Sequence, residues 1–281
     1  MTAPASAIDA ARELGRRHGL GDAEPRILKD GSNLLVHLAP APVVVRVATF
    51  TAWIRGDPLP YLRREVALTA ALTGIRAAVA PPSPLVPPGP HVVDGWAMTV
   101  TSFVDHEAGA VPTGREALVA LDDLHRHLRA TSVALPLLGP AREDLDLAWA
   151  TLVRAGLLAE AAVACLRVER DRLVAELLSA APESQALHGD AFPRNTLVGP
   201  GGIVWIDLED ACLGPAAWDH AVLIRSSRDA DVEANLRTRD GDRAIDAALA
   251  LRGLQSDAWA QLHDARASGA LAIPAAGWLT G

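Results

Sequence analysis

Apolar positions recur in short alternating runs through roughly the first hundred residues and at helical spacing beyond them. Residues 4–18 fit an amphipathic helix that carries Asp9 and Glu13 within its pattern. The stretch RILKDGSNLLVHLAPAPVVVRVA holds two β-rich runs, at 33–38 and 43–48, joined by a proline-containing turn, which predicts a hairpin. In LPYLRREVALTAALTGI, Leu62, Val66, Leu68, Thr69 and Leu72 recur as on one helix face, with Glu65 and the arginines expected on the other side. AAVAPPSPLVPPGP reads as an extended connector. HVVDG and WAMTVTSFV follow as β-branched runs split by an Asp-Gly turn. From Asp105 the period becomes helical, as in GREALVALDDLHRHLRATSV and in DLAWATLVRAGLLAEAAVACLRVERDRLVAELLSAA, which reads as one long helix. The pattern therefore predicts an α+β chain with a β-rich N-lobe over 1–104 and a helical C-lobe over 105–281. No internal repeat interrupts it.

One region breaks the helical period. LHGDAFPRNTLVGPGGIVWIDLEDA places His188, Asp190, Asn195 and Asp207 around a strand, turn and second strand. If the loop at 199–202 closes a hairpin, paired positions sum to about 401 or 402, so Asn195 falls opposite Ile206 or Asp207. Opposed residues lie roughly 4.5 to 5.5 Å apart at Cα. That is close enough for an amide oxygen and a carboxylate to share one hard cation, and Mg²⁺ takes oxygen ligands of this kind. Asp190 lies in a tight loop beyond the same end, free to act on something other than the ion. An isolated H-G-D is more often a turn than a site. Joined to Asn195 and Asp207, it has the parts of phosphoryl transfer: a carboxylate to accept the attacking hydroxyl's proton, and an Asn and Asp to hold the metal. The spacing matches the protein-kinase loop H-R-D-x-x-x-x-N; the local letters do not, and neither D-F-G nor A-P-E follows.

Composition narrows the remaining classes. The chain has 281 residues, half of them hydrophobic, enough to bury a substantial core. Its net charge of −8 is uneven: ten Lys and Arg stand against eight Asp and Glu up to Val104, and sixteen against twenty-six afterwards. A balance of −10 in the second part argues against nucleic acid, whose phosphates need clustered Lys and Arg. No run of eighteen apolar residues predicts a membrane span, and the N-terminus does not read as an export signal. Cys165 and Cys212 have neither disulfide nor zinc spacing, so the cytoplasm is the expected compartment. His91, His106, His220 and His263 form no metal spacing either. His188 reads as a brace for its loop, His125 as a packed helix residue, and Asp219 as a support for the Asp190 loop.

LHGDAFPRNTLV followed by IVWIDLEDACLGPAAWDHA resembles the aminoglycoside phosphotransferase and choline kinase-like family, whose motif is H-G-D-x-x-x-x-N, a strand, I-D-x-E/D and a later Asp. Upstream, GSNLLVHL resembles the nucleotide-covering loop, VVVRVA the strand with the phosphate-binding basic residue, LRREVALTAAL the helix whose Glu pairs with it, and TSFVDH the hinge. The resemblance implies a two-lobe protein-kinase-like fold that holds ATP or GTP with Mg²⁺ between its lobes. It implies roles for Ser32 in the covering loop, Arg46 and Glu65 in ordering phosphates, and the backbone of 101–104, including Ser102 and Val104, in holding the base. Asp190 would be the catalytic base, and Asn195 and Asp207 the metal ligands. Two departures stand out: Arg46 replaces the family's frequent Lys, and the covering loop at 31–33 has a single glycine. The acceptor implied is a small hydroxyl compound. The acidic second part, with Asp144, Asp146, Asp229, Asp231 and Glu233 as candidate rim residues, points to a cationic one such as an aminoglycoside, another basic antibiotic or an amino sugar. A non-catalytic nucleotide-binding protein and an unusual protein kinase are the rival readings, and the sequence sets no oligomeric state.

Overall fold

Alternate burial along the hydrophobic runs builds the first sheet. In β2 (Leu34–Ala39) the side chains of Leu34, Val36 and Leu38 are buried, and in β3 (Val43–Val47) those of Val43, Val45 and Val47. Before them comes β1 (Glu24–Asp30). After them come α2 (Phe50–Arg55), α3 (Leu59–Gly74), β4 (His91–Val93) and β5 (Trp96–Ser102). The sheet is antiparallel in the order β1-β2-β3-β5-β4. α1 (Ala5–Arg17) lays Ala7, Ala10, Ala11 and Leu14 against Leu34, Val36, Leu38 and the valines of β3. Full burial of each such leucine or valine is worth about 1.5 to 3 kcal/mol. The predicted Asp-Gly turn joins β4 to β5 with Asp94 at φ 49° and Gly95 at φ 75°, the paired positive dihedrals of a tight hairpin turn.

The structure is a computed structural model that describes residues 5–271. They fall into two compact units, one of residues 5–74 and 79–105, the other of 75–78 and 106–271. Two elements of the first unit went unseen in the sequence. β1 is an edge strand exposed along nearly its whole length and broken by a bulge between Ile27 and Lys29, so it has no buried face to impose alternation. α2 is a short helix directly after β3, below the length at which a period can be read.

A third expectation fails for Glu65. It lies not on the polar side of α3 but on its buried stripe with Leu62, Leu68, Thr69 and Leu72, while Val66 is only half-buried. Spacing cannot see this, because what admits a carboxylate there is a guanidinium from another element.

In the second unit, α4 (Gly114–Leu128) opens with a capping box in which the Thr113 hydroxyl accepts from the Glu116 N–H and the Glu116 carboxylate accepts from the Thr113 N–H. The long helix expected from Asp146 onward is two, α5 (Glu143–Arg154) and α6 (Glu160–Ala180). Gly156, at φ 70°, ends α5: its N–H donates to Val153 O while Leu157 N–H donates to Leu152 O, a Schellman closure that helical periodicity does not register. α7 (Ala217–Ser227), α8 (Ala230–Asp240) and the 26-residue α9 (Asp242–Ala267) follow, α9 packing on α5, α6, α7 and α8.

Two small ladders interrupt these helices. β6 (Gln185–Leu187) pairs with β9 (Cys212–Gly214), and β7 (Thr196–Gly199) pairs with β8 (Gly202–Trp205). Residues 188–195 and 206–211 are therefore the two connections between the same pair of ladders, so the topology sets both motif segments side by side.

Candidate active site

The hairpin register settles where the motif side chains start. Thr196 pairs with Trp205 and Gly199 with Gly202, a sum of 401. Ile206 N–H donates to Asn195 O at 2.9 Å, so Asn195 faces Ile206 and Asp207 lies one residue beyond. Asp207 turns out of the strand at φ 67°, ψ 58°. A non-glycine residue in this left-handed region costs on the order of 1 kcal/mol or more and is found where function demands a direction.

Across the gap, the other connection is held rigidly. The His188 ring is fully buried, and its Nε2 donates to Ile206 O at 3.0 Å, since a carbonyl only accepts. Nδ1 is then the acceptor for the Asp190 N–H, at 3.3 Å. One imidazole thus ties the backbone of Asp190 to the residue before Asp207. Gly189 has φ 85°, and a Cβ on it would stand 1.8 Å from Asp210 O, so only glycine lets the two connections cross this closely. Trp218 Nε1 donates to Gly189 O at 2.9 Å.

Asp219, at the start of α7, closes the arrangement. Its Oδ2 accepts from His188 N–H and from His125 Nε2, and its Oδ1 from Gly189 N–H, at 2.9, 2.8 and 2.9 Å. Burial by itself would raise its pKa; the His125 hydrogen bond and charge, with His188, outweigh that and hold it below the usual carboxylate value. The bracing expected of Asp219 and His188 is present, and the packed His125 proves to be Asp219's partner. Cys212, fully buried beside them, keeps its thiol proton because desolvation, reinforced by Asp219 and Asp210, pushes its pKa well up.

At the mouth of this framework, Asn195 Nδ2 donates to Asp190 O at 3.0 Å and to Asp190 Oδ2 at 2.9 Å. Both partners only accept, which fixes the amide with Oδ1 turned away from Asp190. Asp190 is half-buried with its carboxylate 32% exposed, a group that a solute can reach. An amide oxygen and the Asp207 carboxylate, whose Oδ1 is shielded from water, make a sparse hard-oxygen donor set. That set fits Mg²⁺, which binds through one or two carboxylates together with substrate phosphates. Glu209 beside them is buried, and Arg194 is exposed.

The remaining candidates lie in the first unit. Arg46 Nη1 donates to Glu65 Oε2 at 2.7 Å with both groups buried, and Thr99 Oγ1 donates to the same carboxylate at 3.3 Å. The pairing expected of β3 and α3 is present with Arg in place of Lys. Ser32 sits in the turn between β1 and β2; its carbonyl accepts from Thr51 N–H at 3.0 Å, and Asn33 Oδ1 accepts from Thr51 Oγ1 at 2.5 Å. α2 thus pins the loop that has only one glycine. Ser102 has both donors engaged, its N–H with Pro81 O at 2.8 Å and its Oγ with Pro82 O at 3.2 Å, and Phe103 N–H donates to Pro42 O. Both Ser102 donors are thus engaged with the proline connector.

Most of the acidic rim candidates already have structural roles. Asp144 is buried and Asp146 holds Arg167 and Arg170, both on α5. At the start of α8, Asp229 caps the helix, Glu233 holds Arg237, and only Asp231 is left exposed.

Residues 25–263 match the model of the APH phosphotransferase enzyme family. The chain belongs to that family. Solved structures of the same fold include the aminoglycoside phosphotransferase APH(3'')-Id from Streptomyces rimosus, at 18% identity over 88% of this chain and 99% of that one, with a TM-score of 0.59. The amicoumacin kinase hAmiN, solved with AMP-PNP, Ca²⁺ and Ami, gives 14% identity, coverages of 85% and 81%, and a TM-score of 0.62. A choline/ethanolamine kinase family protein from Mesorhizobium loti gives 16%, 88%, 82% and 0.54. A search of the curated proteins finds no match. The family and the architecture make this a phosphotransferase-family chain of protein-kinase-like fold, with a small antiparallel sheet and a larger helical part.

One residue at the site escaped sequence reading. Arg252 of α9 donates from Nη2 to Asp190 Oδ1 at 2.9 Å. Its only signal was a charge within the apolar stretch AALALRGLQ.

Proposed function

We propose that this chain transfers the γ-phosphoryl group of ATP or GTP, with Mg²⁺, to a hydroxyl of a cationic small molecule: an aminoglycoside, another basic antibiotic or an amino sugar. The observation that carries this reading is the Asp190–Asn195 hydrogen bond at the open end of the hairpin that also presents Asp207. In the reaction, the acceptor oxygen bonds to the γ-phosphorus as the bond to the β,γ-bridging oxygen breaks and the nucleoside diphosphate leaves. The hydroxyl proton passes to the Asp190 carboxylate and then to solvent. Asn195 holds that carboxylate in place through Nδ2, and its Oδ1 with Asp207 would hold the ion, which supplies charge neutralisation when bound. Residues 1–104 would cover the nucleotide, with Arg46 and Glu65 ordering its phosphates, Ser32 in the covering loop and the backbone of 101–104, including Ser102 and Val104, at the base. Residues 105–281 would carry the base, the metal and the acceptor site.

Support for a cationic acceptor comes from the −10 balance after Val104 and from the amine-bearing compounds named for the similar structures. The general field carries it, not a rim, because four of the five candidate acids are buried, paired or capping. Inactivation of a basic antibiotic would make the role one of resistance. A cytoplasmic setting belongs to the same proposal; no described helix is long and apolar enough to cross a membrane.

The test pairs binding with turnover. Wild type should gain thermal stability from nucleotide only with Mg²⁺ present and should phosphorylate at least one of choline, ethanolamine and kanamycin. Asp190→Asn should keep the nucleotide shift and lose turnover by about 10²- to 10⁴-fold. Asp207→Ala should lose the Mg²⁺-dependent shift. Rising salt should lower kcat/KM for a cationic acceptor as the Debye length shrinks from about 10 Å at 0.1 M to about 3 Å at 1 M. An Asp190→Asn enzyme that still turns over would end this assignment, and a salt-insensitive preference for neutral acceptors would end the cationic one.

A further inference from the structure

Asp190 receives a second partner that the motif does not contain. Arg252 reaches it from α9, 62 residues along the chain; the arginine side chain is 12% exposed, while that of Asp190, at 32%, stays open to a solute. The guanidinium is itself fixed from two further sides. Nη1 donates to Oε1 of Gln255, a buried residue one helical turn on, and the guanidinium carbon lies 5.3 Å from the centroid of the Trp218 ring. Trp218 in turn donates from its edge to Gly189 O, so the ring that supports the arginine also supports the loop that carries Asp190.

We infer that Arg252 is the positioning residue for the catalytic carboxylate, an inference that rests on the base role proposed for Asp190. Asn195 Nδ2 holds Oδ2 and Arg252 Nη2 holds Oδ1, from opposite ends of one carboxylate. With a single donor a carboxylate still turns about its last side-chain bond; with one donor on each oxygen it does not. Each oxygen has a further lone pair, so the acceptor hydroxyl can still deliver its proton to Asp190 while the transferred phosphoryl group leaves the nucleotide. A planar guanidinium, braced by an amide oxygen and an aromatic face, holds an angle that an ammonium cannot. A helix-anchored group also keeps this angle whatever the loop does, which is what positioning within a fraction of an ångström demands.

A merely structural ion pair between α9 and the loop would give a different set of results. Under the positioning role, Arg252→Ala, assayed well below its melting temperature with MgATP and the best acceptor among choline, ethanolamine and kanamycin, loses kcat by about 10- to 100-fold with nucleotide Kd unchanged. Arg252→Lys, which keeps the charge and the fold, recovers only part of it. Guanidinium added at millimolar concentration raises kcat of Arg252→Ala and leaves Arg252→Lys and wild type unmoved. Gln255→Leu, which frees the guanidinium at one edge, gives a smaller loss in kcat of the same kind. Wild-type kcat in Arg252→Ala beside an inactive Asp190→Asn overturns this inference alone. So does a full return of activity in Arg252→Lys with no effect of guanidinium. Turnover by Asp190→Asn overturns the base role and this inference together.

Discussion

Two buried carboxylates in this protein are held in opposite ways. Glu65 meets Arg46 and Thr99, side chain to side chain, across the contact of a strand and a helix. Asp219 meets the backbone N–H groups of His188 and Gly189 as well as His125, and so holds the path of the chain itself. A side-chain pair can be rebuilt by another side chain of similar reach. A carboxylate that satisfies backbone donors is irreplaceable at its place, because the donors remain whatever is substituted opposite them. The loop at 188–195 should therefore tolerate almost no change in its supports, and the sheet should tolerate some.

The largest effect is expected at Gly189. A Cβ there would overlap Asp210 O at 1.8 Å in a backbone conformation that L-residues avoid. Gly189→Ala should cost about 4 kcal/mol or more, read as a lowered urea midpoint, and abolish turnover in whatever folds. Wild-type stability in that variant would mean the two connections do not cross as closely as described.

Asp219→Asn comes next. The amide has one acceptor oxygen where the carboxylate has two, and its NH₂ group must face a donor, so about 3 kcal/mol should be lost at neutral pH. The pH dependence carries a sign. Because folding holds the Asp219 pKa below the ordinary 3.8, its contribution is complete above that value and fades as pH falls through the lower folded one. The stability gap between wild type and Asp219→Asn should thus stay constant from pH 7 to pH 5 and close below pH 3.8. A gap that persists unchanged into strong acid would remove the charge from the explanation.

The smallest effect tests the other half of the comparison. Arg46→Ala should raise the apparent KM for nucleotide by about 10-fold and lower kcat, and Arg46→Lys should recover part of both, since a point charge can still reach Glu65 without the fork. If Arg46→Lys is as impaired as Arg46→Ala, the sheet's ion pair is no more forgiving than the loop, and the contrast fails.

Legibility in the sequence follows the same division. The motif letters at 188, 190, 195 and 207, the hairpin register and the Asp-Gly turn were all readable, because each is set by near neighbours along the chain. Spacing also found α1 and α3 to within a residue or two, and α4 from its first residue, though the helix ends five residues before the predicted stretch does. It failed on β1, which has no buried face, on α2, which is too short to show a period, and on the break at Gly156, where one positive φ stops a helix whose apolar pattern continues. It also placed Glu65 on the wrong side of its helix.

By itself, then, the sequence determined the class of fold, most of its longer elements and the residue types of the 188–207 motif. Those depend on backbone preference and on residue type, which are properties of a short window. Only the folded chain decided that His188 links the Asp190 loop to Ile206, that Gly189 has no room for a methyl group, that Asp219 takes His125 from 94 residues away, and that Arg252 reaches Asp190 from 62. Each of those is a meeting of groups remote in sequence. A charge or a missing side chain acquires its meaning there from what stands opposite it, and no window of the sequence contains both partners.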